Sequence, residues 1–81
     1  MFISAIKIRF LENVTVEVTF QDGKIIRYDM SKMFSKYPQL GKLRKNRILF
    51  ESGYLDPGGN VVIWNDGLDF STMSIYECGK I

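Results

Sequence analysis

Val14-Thr15-Val16-Glu17-Val18-Thr19-Phe20-Gln21-Asp22-Gly23-Lys24-Ile25-Ile26-Arg27-Tyr28-Asp29-Met30 is the stretch that decides the fold. Val14, Val16, Val18 and Phe20 alternate with Thr15, Glu17 and Thr19, and Ile26, Tyr28 and Met30 continue the even-numbered apolar face. β-Branched and aromatic residues alternating with polar ones read as half-buried strands. Residues opposite each other in a sheet share a face, so partners on the core side must both be even-numbered. A two-residue Asp22-Gly23 loop fails that condition, because it sets Val18 opposite Arg27. A three-residue loop of Gln21, Asp22 and Gly23 pairs Val18 with Ile26, Val16 with Tyr28 and Glu17 with Arg27, with Gly23 left-handed. One further slip would oppose Glu17 to Asp29, two like charges.

Upstream, Phe2, Ile6, Ile8 and Phe10 alternate with Lys7 and Arg9 and predict a preceding strand. The same parity argument expects a Leu11-Glu12-Asn13 loop with Asn13 left-handed and Ile8 opposite Val16. Lys7, Glu17 and Arg27 would then form a row on the wet face. Downstream, Asp29 or Ser31 is placed to cap a helical run of Met30, Met33, Phe34 and Tyr37 that Pro38 ends. A second helical stretch is expected from Leu40 to Lys45, with Leu40 and Leu43 inward. Ile48-Leu49-Phe50 fits a helical turn or the start of a strand.

Glu51 to Leu55 and Asn60 to Asn65 read as strands around the turn Asp56-Pro57-Gly58-Gly59. Val61, Val62, Ile63 and Trp64 are apolar without alternation, which suggests a strand covered on both faces, inside this domain or by a partner subunit. After an Asp66-Gly67 turn, Ser71 or Ser74 caps a terminal helix carrying Met73, Ile75, Tyr76 and Cys78, and Ser74 with Glu77 has the capping-box spacing. The expected fold class is α+β: an antiparallel sheet, comprising an N-terminal three-stranded meander plus a second hairpin, with two or three short helices. One domain spans residues 1–81.

Several of these segments, in this order, resemble the domain-of-unknown-function family 2442 (DUF2442). They are the Asp-Gly hairpin after Val16-Glu17-Val18-Thr19-Phe20, then Tyr28-Asp29-Met30-Ser31, then Asp56-Pro57-Gly58-Gly59. Val62-Ile63-Trp64-Asn65-Asp66-Gly67-Leu68-Asp69 and a terminal helix with Tyr76 complete the pattern over almost the whole chain. The resemblance implies a small bacterial α+β protein and assigns no activity or catalytic residues. By association it implies pairing with the product of a neighbouring gene, antitoxin-like or regulatory. No helix-turn-helix pattern is visible, so DNA reading does not carry over.

Eighty-one residues with 46% hydrophobic side chains are enough for one core and too apolar for a disordered chain. Domains this small bury only about 60–65% of their unfolded surface, and disulfides, metals or oligomerisation usually compensate. Cys78 is the single cysteine and histidine is absent, so an intrachain disulfide and a Cys/His zinc cluster are excluded. Self-association, as a dimer or higher, is the remedy left. No stretch approaches the ~20 apolar residues of a membrane span. The opening Met1-Phe2-Ile3-Ser4-Ala5-Ile6-Lys7 lacks the basic flank and apolar run of a signal peptide, so a cytoplasmic location is expected.

Two clusters could carry function. Lys32, Lys36, Lys42, Arg44, Lys45 and Arg47 hold six of the eleven cations, and no acidic residue lies between Asp29 and Glu51. Of these, Lys42, Arg44, Lys45 and Arg47 are candidate phosphate contacts, although such a run also suits the solvated face of two short helices. Val62, Trp64, Asp66 and Asp69, with Asp56 nearby, could form a partner or ligand surface. The structural alternative makes Trp64 core and the aspartates turn residues. Cys78 reads as a buried thiol. The pairs Ser31-Lys32 and Ser35-Lys36 are adjacent, the wrong spacing for a serine–lysine nucleophile. Gly58-Gly59 belongs to a turn rather than a phosphate loop. No catalytic, cofactor or metal site is expected. The first expectation is a non-catalytic protein-interaction or accessory module. The alternatives are a nucleic-acid binder using residues 32–47 and a small-ligand binder or enzyme at the Trp64–Asp69 end.

Overall fold

The computed structural model describes residues 3–64 and 67–80, so the readings made on Phe2, Asn65 and Asp66 lie outside it. Strands β1 (Ala5–Leu11), β2 (Thr15–Phe20) and β3 (Ile25–Asp29) form an antiparallel meander in that order. The second hairpin has the register that parity demands: Val18 opposite Ile26, Val16 opposite Tyr28, Glu17 opposite Arg27. Its three-residue loop closes through Phe20 N–H to Lys24 O at 2.8 Å, with Gly23 at φ +93°.

The first hairpin departs from expectation. Ile8 faces Val18, Phe10 faces Val16 and Arg9, not Lys7, faces Glu17. A slip of two residues preserves parity, so the inward-facing test could not separate the two registers. Long-range packing does so. Phe10 opposite Val16 brings its ring to 5.1 Å from Phe50 and 6.4 Å from Trp64, centroid to centroid, both edge-on. The loop is accordingly Glu12-Asn13-Val14, with Asn13 at φ 58° as expected and Val14 unexpectedly at φ 52°. The wet-face row is Arg9–Glu17–Arg27, the carboxylate meeting the two guanidiniums at 3.1 and 3.0 Å. A β-bulge between Ala5 and Lys7 turns Ile6 outward, leaving it 64% exposed rather than in the core.

Residues 30–51 form four short helical segments in place of the two expected, and the stretch from Leu40 to Lys45 is helical as expected. Asp29 accepts from Ser31 N–H at 2.9 Å and Ser31 Oγ–H at 2.6 Å and caps a 3₁₀ turn, Met30–Met33. Pro38 opens a second 3₁₀ turn, Pro38–Gly41, as suits a residue without an N–H. Helix α1 (Lys42–Lys45) and helix α2 (Arg47–Glu51) follow, so Ile48-Leu49-Phe50 is helical and Glu51 ends a helix instead of starting a strand. Leu40, Leu43 and Phe50 point inward.

A second antiparallel sheet runs β4 (Tyr54–Leu55), β5 (Val61–Ile63) and β6 (Asp69–Ser71), the last unforeseen. Helix α3 (Thr72–Cys78) follows β6 directly. Ser71 holds the cap position without a side-chain bond, and Ser74 lies inside the helix. Val62 and Trp64 are covered within this chain. Val62 is fully buried, and the Trp64 indole N–H donates to Phe50 O at 2.8 Å. Lys80 then pairs with Arg27 through both backbone bonds, at 2.8 and 2.9 Å, extending the first sheet past β3.

The Asp56–Gly59 turn joins the two sheets. Its carboxylate accepts from Asn60 N–H at 2.6 Å, Val61 N–H at 2.8 Å and Gly58 N–H at 3.3 Å. Gly59 has φ +69°, and a Cβ there would stand 2.2 Å from Ala5 O. Gly59→Ala is therefore expected to cost at least ~2 kcal/mol in urea denaturation, from backbone strain and collision together. The Asp56 carboxyl is held below its ordinary 3.8, chiefly by the Val61 N–H. A depressed carboxylate stabilises the fold above its ordinary pKa, and that contribution fades as pH falls through the depressed value. Melting temperature should accordingly decline on acidification, and Asp56→Asn should make the decline shallower.

Candidate functional site

The basic segment is held down by local capping and one long-range clamp. Asn46 breaks the helical run in extended conformation and caps α2, its Oδ1 accepting from Leu49 N–H at 3.1 Å. That break presents Arg47 to the first hairpin. Its guanidinium donates to Leu11 O at 2.7 Å, Phe10 O at 3.3 Å and Glu51 Oε2 at 2.7 Å, and lies 5.2 Å from the Phe50 ring centroid. Arg47 thus ties α2 to the end of β1, a structural task that the charge run did not reveal. No local pattern could have shown it, because the acceptors are backbone carbonyls 36 and 37 residues earlier.

Arg44 is positioned differently. Its guanidinium lies 5.0 Å over the Phe34 ring, which orients the side chain without occupying its N–H groups. Beside it opens a cleft of about 510 Å³, lined by Asn13, Val14, Asp29, Ser31, Arg44 and Arg47 over a floor of Leu43 and Phe50. Asp29 is the carboxylate in this lining, and the Ser31 hydroxyl is the first cause holding it ionised below its ordinary range, with Lys32 and Arg44 adding their charge. Val14 is β-branched yet left-handed, a rare combination, and its carbonyl receives Met30 N–H at 3.0 Å. Asn13, Asp29 and Ser31, read from sequence as turn and caps, and Val14, read as strand, therefore also build the wall of this cleft. Lys42 and Lys45 are exposed but do not line it.

An adjoining cleft of about 360 Å³ shares Asp29 and carries Arg27, Lys32 and Lys80. Cys78 opens onto it and is exposed, contrary to the expected buried thiol. Helix α3 buries Thr72 and Ile75, and its last turn ends against Ile26 at Gly79, leaving the thiol outside.

Among the described residues of the second predicted cluster, exposed Asp69 does not share the buried face of Val62 and Trp64. Val62 and Trp64 lie in the core and cannot meet a partner unless the domain opens. Asp66 lies outside the described residues. Asp69 is exposed on β6, where its neighbours across a small concavity are Tyr37, Gln39, Ser71 and Ser74 rather than Trp64. Ser4 and Lys7 have the serine-x-x-lysine spacing, which the reading of the adjacent serine–lysine pairs overlooked; Ser4 precedes β1 and Lys7 follows its bulge. Among the described residues, no helix is long and apolar enough to cross a membrane.

Two small antiparallel sheets, short helices and a cleft with a ring-supported arginine define a small α+β domain. The chain belongs to the family described as protein of unknown function (DUF2442), whose match spans residues 5–80. No curated protein and no solved structure shows a significant match to it.

Replacing Arg47 with methionine should lower stability by about 1.5 kcal/mol in urea denaturation, the loss of charge-assisted bonds to two carbonyls. Glu51→Gln, which removes only a half-exposed ion pair, should cost less than ~0.5 kcal/mol. Equal losses would show that the i,i+4 pair, not the clamp on β1, is what matters.

Proposed function

We propose that this protein is a non-catalytic interaction module that receives an anionic group of a partner protein in the Arg44–Arg47 cleft. The observation that carries the reading is Arg44 laid on the Phe34 ring beside the cleft. A guanidinium supported on a ring is oriented before binding, so less freedom is lost when it meets a carboxylate or phosphate. The partner fits the product of a neighbouring gene, as family association suggests. Self-association fits the small unstapled core, although any contact between copies must use surface residues rather than Val62 or Trp64.

Acidic protein is favoured over single-stranded nucleic acid by the aromatic residues. Phe50 and Tyr28, beside the two clefts, are buried, and Phe34 is covered by Arg44, so these clefts offer bases no open stacking face, and the exposed rings of Tyr37 and Tyr54 line neither cleft. A second reading has its own support. Arg27, Lys32 and Lys80 continue the positive lining past Asp29, which would suit the backbone of a duplex.

Fluorescence anisotropy with a labelled oligoglutamate peptide and a short duplex separates the two. The peptide should bind the wild type and lose about fivefold in affinity in Arg44→Ala, the worth of one ion pair near 1 kcal/mol. Duplex binding stronger than peptide binding, with a steep salt dependence, would favour the second reading. Binding of neither at low salt, together with a monomer that elutes alone after co-expression with its gene neighbours, would remove the proposal.

A further inference from the structure

A concavity of about 240 Å³ lies between the Pro38–Gly41 turn and β6, the edge strand of the second sheet. Leu40 and Phe70, both nearly buried, form its floor. Its walls carry Tyr37, Gln39, Asp69, Ser71 and Ser74, and among the described residues no cationic side chain lines it. Among the described residues, the Asp69 carboxylate, the Gln39 amide, the Tyr37 phenol and the Ser71 and Ser74 hydroxyls have no side-chain hydrogen bond or ion pair within the chain. This differs from the Arg44–Arg47 cleft, where Asp29 already serves Ser31 and Arg47 already serves β1.

We infer that this concavity is a second binding site, and that it takes the cationic side chain of a lysine or arginine from a partner protein. Polar groups left unpaired in the free protein and converging on one hollow are what a ligand can satisfy. They comprise one full negative charge and several oxygen acceptors, which select a cation with hydrogen-bond donors. The apolar floor suits the methylene stem of such a side chain, which packs on hydrocarbon while its head reaches polar atoms. The volume lies under the ~300 Å³ at which pockets for whole drug-sized ligands begin, and it matches a single side chain instead. The Tyr37 ring already attracts a cation, since Lys36 Nζ sits 5.5 Å from its centroid. The site is opposite in sign to the Arg44–Arg47 cleft and does not depend on it.

The test is an amide-resolved NMR titration of the full chain with three probes: Nα-acetyl-lysine methylamide, its uncharged norleucine counterpart and free lysine. The capped lysine should bind with a dissociation constant of roughly millimolar order and shift amides of Gln39, Leu40 and residues 69–74. Asp69→Asn should weaken it about fivefold or more. Ser74→Ala, a second variant on a different element, should weaken it about twofold. Arg44→Ala should leave this titration unchanged while weakening oligoglutamate, so the two sites fail or stand separately. The inference is overturned if norleucine shifts the same amides equally, if Asp69→Asn binds as the wild type does, or if the shifts scatter over the surface. Tighter binding of free lysine than of capped lysine would assign the hollow to a metabolite and overturn the partner side chain.

Discussion

The carbonyl oxygen of Gly59 accepts two hydrogen bonds that hold the domain together, from Ala5 N–H at 2.9 Å and from the buried Thr72 hydroxyl at 2.9 Å. Ala5 begins the first sheet, Gly59 closes the β4–β5 turn and Thr72 begins α3, so one acceptor joins three parts of the chain. This contact needs a left-handed residue without a side chain, and the Asp56 carboxylate holds the turn in shape by gathering three N–H groups. An unmade bond at a buried polar atom costs more than a made one contributes. The two sheets therefore have little freedom to part while this junction is intact. Thr72, the one buried residue of the polar or charged types among the described residues, is explained by the same contact.

From that junction the arrangement of the cleft follows. Ala5 sets the start of β1, the bulge after it resets which side chains face inward, and Phe10 then falls against Phe50 and Trp64. Packing of Phe10 puts the end of β1 within reach of Arg47, whose clamp on Leu11 and Phe10 carbonyls fixes α2. The left-handed pair Asn13 and Val14 completes the turn, and the cleft is the space left between that turn and the helices. The cleft is thus a consequence of core packing at its base and of backbone strain at its rim.

Legibility in the sequence followed the range of the determining force. The β2–β3 register rested on facing parity, loop length and one like-charge clash, all within seventeen consecutive residues, and it was readable in full. The β1–β2 register rested on where Phe10 meets residues forty and more positions away, and parity alone accepts either choice. Leu40 and Leu43 were readable as inward because helical spacing persists through 3₁₀ turns as well as α-helix. Strand β6 was not, because three residues between an Asp-Gly turn and a helix cap carry no periodicity. The same limit applies to function. The positive run at residues 32–47 was visible, yet charge in a list does not say which cations are already engaged.

Engagement, rather than charge density, is the physical criterion that separates the candidates. A chain of this size has a small margin of stability, so side chains that hold the fold cannot readily be turned to a partner. Arg47 holds β1, Asp29 caps a turn, Glu17 binds two arginines, and Val62 and Trp64 are core. Arg44 rests on a ring and, among the described residues, gives none of its N–H groups to a backbone carbonyl, and Asp69 stands on an edge strand facing unpaired hydroxyls. Each can change partners without loosening the core. Two such groups of opposite sign, in separate hollows, are therefore where the two proposed ligands could be met at least cost to the fold.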